Sequence, residues 1–118
     1  MDESCNNTYH EDNRIINSPN YPRVYPRFTE CTWSIAAPIG SQISVDPFFY
    51  SIEEAYMRIY DGAFSYPRRI AILNGIDTYD GTNSTTNNMF FWFESSWKED
   101  KGFQITFSLI GMQMNFIN

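Results

Sequence analysis

Residues Ile16-Asn17-Ser18-Pro19-Asn20-Tyr21-Pro22, then Tyr25-Pro26, lead into Cys31-Thr32-Trp33-Ser34-Ile35. Each proline fixes φ and removes an N–H donor, so the first part is a stiff, turned path that ends any strand entering it. The second part alternates. Cys31, Trp33 and Ile35 fall on one side of an extended chain and Thr32 and Ser34 on the other, the period of a strand with one buried face. A rigid aromatic-proline loop entering a half-buried strand that carries a cysteine is a specific arrangement, and no window of the chain sustains a helical period.

The other strands are short. Ile15 and Ile16 begin one that ends at Pro19, and Gln42 to Val45 forms another after the Pro38–Gly40 turn. Met57 and Ile59 form the apolar face of a strand that stops at Asp61-Gly62. Arg69 to Leu73 is an apolar run ended by Asn74-Gly75. Met89 to Phe93 is continuously apolar, as expected of a strand covered on both faces. Phe103, Ile105, Phe107 and Leu109 alternate with Gln104, Thr106 and Ser108. The polar stretches 2–13 and 76–88 are expected to be tail and loop, and 111–118 to be a last strand or the start of a linker. Many short strands with turn chemistry between them predict an all-β, two-sheet antiparallel β-sandwich of jelly-roll type.

Charge and composition exclude some functions. The net charge of −6 argues against a nucleic-acid partner, which needs a basic patch, and against docking on anionic lipid. No apolar run is long enough to insert in a membrane as a helix. Met1-Asp2-Glu3 is expected to open a trimmed segment and not a secretory leader. Ten Phe, eight Tyr and three Trp supply a core without a metal or a dense disulfide framework. Cys5 and Cys31 are either free buried thiols or one bridge. Asn6-Asn7-Thr8 and Asn83-Ser84-Thr85 fit the glycosylation acceptor pattern, which makes Asn6 and Asn83 candidates and points to a secreted chain.

From Cys5 to Gly102-Phe103, an ordered set of landmarks resembles the CUB domain, an extracellular β-sandwich interaction module. They include Ser18-Pro19-Asn20-Tyr21-Pro22, Cys31-Thr32-Trp33, Met57 to Gly62, Leu73-Asn74-Gly75 and Met89 to Phe93. The resemblance implies a Cys5–Cys31 disulfide and a single module over residues 1–118, excised from a larger extracellular protein. It also implies a second disulfide, with one cysteine in a loop near Glu53–Tyr56 and one immediately before Gly75. Here that loop is shortened and lacks cysteine, and Asn74 holds the other place. Many CUB domains carry calcium on a Tyr, a Glu and two Asp. Tyr25 and Glu53 match the first two, whereas the carboxylate positions hold Ala55 and Ser96. Calcium takes about 6–8 oxygen ligands, so no metal or other cofactor is expected. Glu54, Glu94 and Glu99 are the available substitutes.

No catalytic residue is assigned. His10, the single histidine, lies beside Glu11 and Asp12 as a solvated residue would, and the sequence places no carboxylate opposite Glu94. Phe48, Phe49, Tyr50, Tyr56, Phe64, Tyr66 and Trp97 fall in polar or turn-like surroundings, where aromatics either cap a sandwich or make contacts. The expected function is non-enzymatic recognition of another protein outside the cell, with Tyr25, Glu53 and Trp97 as ligand-contact candidates. The alternative is a carbohydrate-binding jelly roll that stacks exposed aromatics on a glycan.

Overall fold

The computed structural model describes residues 5–10, 14–63 and 68–111. Its strands are β1 (Asn6–Tyr9), β2 (Arg14–Asn17), β3 (Glu30–Ala36), β4 (Gln42–Val45), β5 (Phe48–Asp61), β6 (Arg68–Tyr79), β7 (Thr82–Asn83), β8 (Asn88–Ser95) and β9 (Gly102–Ile110). One sheet runs β1-β3-β8-β5-β6 and the other β2-β9-β4-β7. Strand β5 joins them where Tyr50 and Ser51 pair with Phe103 and Gly102. All pairings are antiparallel except β1 with β3, which is parallel. The sandwich is therefore all-β, as expected, with one parallel edge.

The core follows the alternation. Cys31, Trp33 and Ile35 are buried on β3, and Phe103, Ile105 and Phe107 on β9. Phe103 packs edge-on against Trp33 at 5.9 Å and against Phe93 at 5.3 Å between ring centroids. Ser18 of the proline-aromatic loop closes the layers. Its N–H donates to the Phe103 carbonyl at 3.1 Å, and its Oγ accepts the Phe103 N–H at 3.0 Å. That approach requires glycine next door: a Cβ on Gly102, where φ is +89°, would lie 1.9 Å from Ser18 Oγ.

Three expectations from sequence are corrected. Asn6–Tyr9, expected as tail, pairs with Thr32–Ile35. It is held by the Cys5–Cys31 disulfide and by its own Asn6 Oδ1, which accepts the Thr32 N–H and hydroxyl at 2.9 Å each. The stretch 76–88, expected as loop, carries the end of β6 and all of β7, because β6 is an edge strand whose exposed positions suit polar residues. Residues 53–56, expected as a shortened loop, bulge within β5 between the Ile52–Gly75 and Met57–Leu73 pairs, opposite Asn74. The missing second disulfide would have crossed at this place. On β8 both faces are covered, as expected, but the outer cover comes from the sheet itself. Phe90 packs on Tyr60 at 5.7 Å, and the Arg58 guanidinium lies 4.8 Å over Trp92. Phe64, Tyr66 and residues 112–118 lie outside the described residues.

At the far end of β5, the Asp61 carboxylate is 5% exposed. It accepts the Thr85 N–H and hydroxyl at 2.7 Å each, and the Thr86 N–H and hydroxyl at 3.3 and 2.8 Å. Burial pushes its pKa up, but these four donors outweigh burial and hold it below the ordinary 3.8. A carboxyl depressed in the folded state stabilises fully above its unfolded value and loses that contribution as pH falls through the folded value. Stability should therefore fall as pH drops below about 4. In Asp61→Asn the acid loss should be shallower and neutral stability lower by about 2 kcal/mol, as measured by urea unfolding across pH. At the other end, Gly102→Ala should cost about 3 kcal/mol through its positive φ and the Ser18 clash, read by the same unfolding curves.

Candidate functional site

One end of the sandwich is built from the Ser18–Thr29 loop, the Ser96–Lys101 loop and the β5 bulge. Backbone bonds zip the two loops together. The Tyr25 N–H donates to the Asp100 carbonyl at 3.0 Å, the Phe28 N–H to Ser96 at 2.8 Å, and the Ser95 N–H to Thr29 at 2.9 Å. Ser95 Oγ accepts the Thr29 N–H and donates to the Pro26 carbonyl, each at 2.9 Å. The prolines stop this loop from forming a strand, so its amides are spent on its neighbour.

The zipper pushes side chains outward. Phe28 is 74% exposed and Trp97 59%, and the Phe28–Ser96 bond places them on adjoining segments. Phe28 has φ of 49°, a left-handed conformation that costs a bulky residue about 1–3 kcal/mol. Val24 on the same loop and Tyr56 on the bulge are each 44% exposed. Arg27 and Glu99, 3.9 Å apart, mark the charged margin of this surface.

Tyr25, Glu53 and Trp97 converge on this end, but in different roles. Trp97 is a surface residue. Tyr25 is fully buried, edge-on to Phe93 at 4.9 Å, which corrects its reading as a ligand contact. The proline loop folds over the core and needs an apolar post beneath it. Glu53 is half-buried and its Oε1 accepts from Lys98 Nζ. Asp100 and Lys98 were not singled out from sequence, because Lys98-Glu99-Asp100-Lys101 has the composition of a solvated charged turn. Phe28 also went unnoticed beside its prolines. The one available signal was that mixed-charge run next to Trp97.

Asp100 anchors the bulge. Its Oδ1 accepts the Ser51 hydroxyl at 2.9 Å and the Lys101 N–H at 2.7 Å, and its Oδ2 accepts the Glu53 N–H at 3.0 Å. Burial raises its pKa, but the Glu53 and Lys101 amides, Ser51 and the Lys98 charge together hold it below the ordinary carboxylate value. The hydrogen bond from Lys98 to Glu53 raises the lysine pKa, helped by the charges of Glu53, Asp100 and Glu54.

These residues do not fit calcium. Ala55 is buried and has no oxygen on its side chain, and Ser96 Oγ donates to the Glu54 carbonyl. Glu53 carries Lys98, and Asp100 is committed to Ser51 and two amides. Glu94 pairs with Arg58 at 3.3 Å and Glu99 with Arg27, so neither substitutes. Among the described residues, no group of three or more His, Cys, Asp or Glu side chains is placed to hold a metal.

On the adjoining outer face, Glu30 lies opposite Glu94 in register. Glu30 accepts from Trp92 Nε1 at 2.8 Å, and Arg58 takes Glu94 while stacking on Trp92 and Tyr56. Both carboxylates thus serve a cation–aromatic stack. His10, exposed, places Nδ1 3.1 Å from the Ala36 carbonyl.

One polar atom at the loop end is orphaned. The Tyr25 hydroxyl is buried and finds no hydrogen-bond partner among the described residues. Burial foremost, then the charges of Asp100 and Glu53, drives its pKa far above 10.0. An unpaired buried hydroxyl costs about 1–3 kcal/mol. Tyr25→Phe is therefore expected to raise stability by about 1 kcal/mol in denaturant unfolding.

The CUB domain family model matches residues 5–107. Tolloid-like protein 1 of Homo sapiens is 34% identical over 111 residues, covering 88% of this chain and 11% of the relative. The full extracellular region of zebrafish Gpr126/Adgrg6 superposes with a TM-score of 0.76 at 25% identity, over 93% of this chain and 15% of that one. The calcium-bound CUB2 domain of MASP-1 superposes with a TM-score of 0.76 at 20% identity, over 86% of this chain and 96% of that one. The chain spans between 2% and 22% of the length of the first curated relatives it matches. The matched span takes in both cysteines, the proline-aromatic loop and the Gly102-Phe103 pair, and with it the chain belongs to the CUB domain family.

Proposed function

We propose that this domain is a non-enzymatic recognition module of a secreted or cell-surface protein, and that it binds another protein through the Phe28–Trp97 end. The observation that carries this reading is Phe28. A phenylalanine held in a left-handed conformation with three quarters of its surface in water gives nothing to the core, and it stands on the segment next to an exposed Trp97. Tryptophan and tyrosine dominate binding hot spots because they bring large rigid area at small entropic cost. Glu53, Lys98, Arg27 and Glu99 supply a charged rim of the kind that orients a partner.

Family membership and the extracellular relative support a place outside the cell, and residues 1–118 as one module of a longer chain. Among the described residues no helix is long and apolar enough to cross a membrane. Asn6 and Asn83 are both exposed, which suits glycan attachment. The relatives lend the sugar-binding alternative no support, and the Trp92 ring carries Arg58 on one face.

Affinity capture with the immobilised domain, read by mass spectrometry, tests the surface when run beside a Phe28→Ala/Trp97→Ala variant. A protein retained by the parent and lost by the variant is expected, and equal retention would count against this surface. For the captured partner, Trp97→Ala should weaken binding by about 2 kcal/mol in calorimetric titration. The same change should alter folding stability by no more than about 0.5 kcal/mol. Loss of stability with unchanged affinity would instead make Trp97 a cap on the core.

A further inference from the structure

The loop end sets one ammonium directly on a carboxylate, Lys98 on Glu53. Glu53 accepts the Lys98 hydrogen bond, and the charges of Asp100 and Glu54 add smaller contributions that favour the charged lysine. The segments meeting there are only partly paired in the sheets: Ala55 and Tyr56 keep their pairs with Ser95 and Glu94 of β8. Residues 53–56 bulge away from β6, and 96–101 form the connection between β8 and β9. Carboxylates converging on such a junction repel one another and loosen it unless a cation lies among them. The only charged donor to Glu53 or Asp100 among the described residues is Lys98, because Asp100 is otherwise held by Ser51 and by backbone amides. Arg27 is committed to Glu99 and Arg58 to Glu94.

We infer that the Lys98 ammonium is the built-in cation of this junction, and that it makes the loop end indifferent to divalent metal by occupying the carboxylate a metal would need. Several observations converge on this. Ala55 offers no ligand, and Ser96 spends its hydroxyl on the Glu54 carbonyl. The buried Tyr25 hydroxyl has no hydrogen-bond partner among the described residues, and the Tyr25 N–H is tied to the Asp100 carbonyl of the same connection. The junction keeps Glu53 and Asp100 and sets a tethered charge on the first of them. A tethered cation is present at unit occupancy whatever the metal concentration outside the cell, so the Phe28–Trp97 surface is held without loading. The inference does not depend on what that surface binds.

Terbium(III), a hard oxygen-seeking cation whose luminescence is excited through nearby tryptophan and tyrosine, is the probe. The wild-type protein should bind it weakly and melt at the same temperature in millimolar calcium as in chelator. Lys98→Met removes the competing charge and should bind terbium about tenfold or more tightly than wild type. Lys98→Arg keeps a cation and should behave as wild type. Lys101→Met removes an equal charge from the same loop outside the cluster and should also stay near wild type, which separates a local effect from a change in net charge. The inference is overturned if Lys98→Met and wild type bind terbium equally. Lys98→Arg gaining affinity like Lys98→Met, or calcium raising the wild-type melting temperature, would overturn it too. Lys98 is a partly exposed surface side chain, so these substitutions leave the core and the disulfide untouched.

Discussion

Phe103 is the contact on which both layers depend. It belongs to β9, yet its ring is flanked by Trp33 and Phe93 from the opposite sheet, and Phe93 in turn supports Tyr25 beneath the proline loop. Edge-to-face contacts of this kind add about 0.5–1.5 kcal/mol each beyond the area they bury, and they fix orientation as well as distance. The backbone of the same residue exchanges hydrogen bonds with Ser18, so one position sets the spacing of the sheets and the path of the loop. Gly102 is glycine because nothing larger lets Ser18 come this close. The recognition end is thus positioned by core packing, and its loops inherit their rigidity from rings buried beneath them.

Sequence disclosed most of what alternation controls. Cys31, Trp33 and Ile35, or Phe103, Ile105 and Phe107, announce a buried face because a strand turns every second side chain the same way. Strand β1 was hidden because Asn6-Asn7-Thr8-Tyr9 has no apolar alternation; a disulfide and the Asn6 side-chain oxygen, both reaching a partner 26 residues away, hold it in place. The continuation of β6 past Gly75 was hidden for a related reason. An edge strand with exposed positions tolerates Asp77 and Thr78, and its polar composition then mimics a loop. Tyr25 was misplaced because a residue between polar, proline-rich neighbours gives no sign that the loop folds back over the core.

The same distinction governs the site. The absence of carboxylates at Ala55 and Ser96 is visible from sequence, and with it the loss of two oxygen ligands. What filled the gap was not visible. Lys98 sits in a run of mixed charge that is ordinary for an exposed turn, and only the fold brings it to Glu53, which is 45 residues earlier in the chain. Exposed ion pairs contribute little to stability, about 0–1 kcal/mol. The value of this pair lies in where it acts, linking the β6-facing side of the bulge, where the ladder is interrupted, to the β8–β9 connection.

The bonds between the two loops explain why the strained Phe28 persists. A left-handed phenylalanine exposed to water is unfavourable twice, once in its backbone and once in its solvation. Left to itself the loop would relax by turning Phe28 inward. It does not, because Phe28 and Ser96 share a backbone bond, Pro26 and Thr29 are tied to Ser95, and Tyr25 already occupies the apolar space beneath. The strain is therefore imposed by the surroundings and distributed over contacts that are individually ordinary. A surface fixed in this way loses little conformational freedom when it meets a partner, and low ordering cost is what allows a patch of a few aromatic side chains to bind with useful affinity.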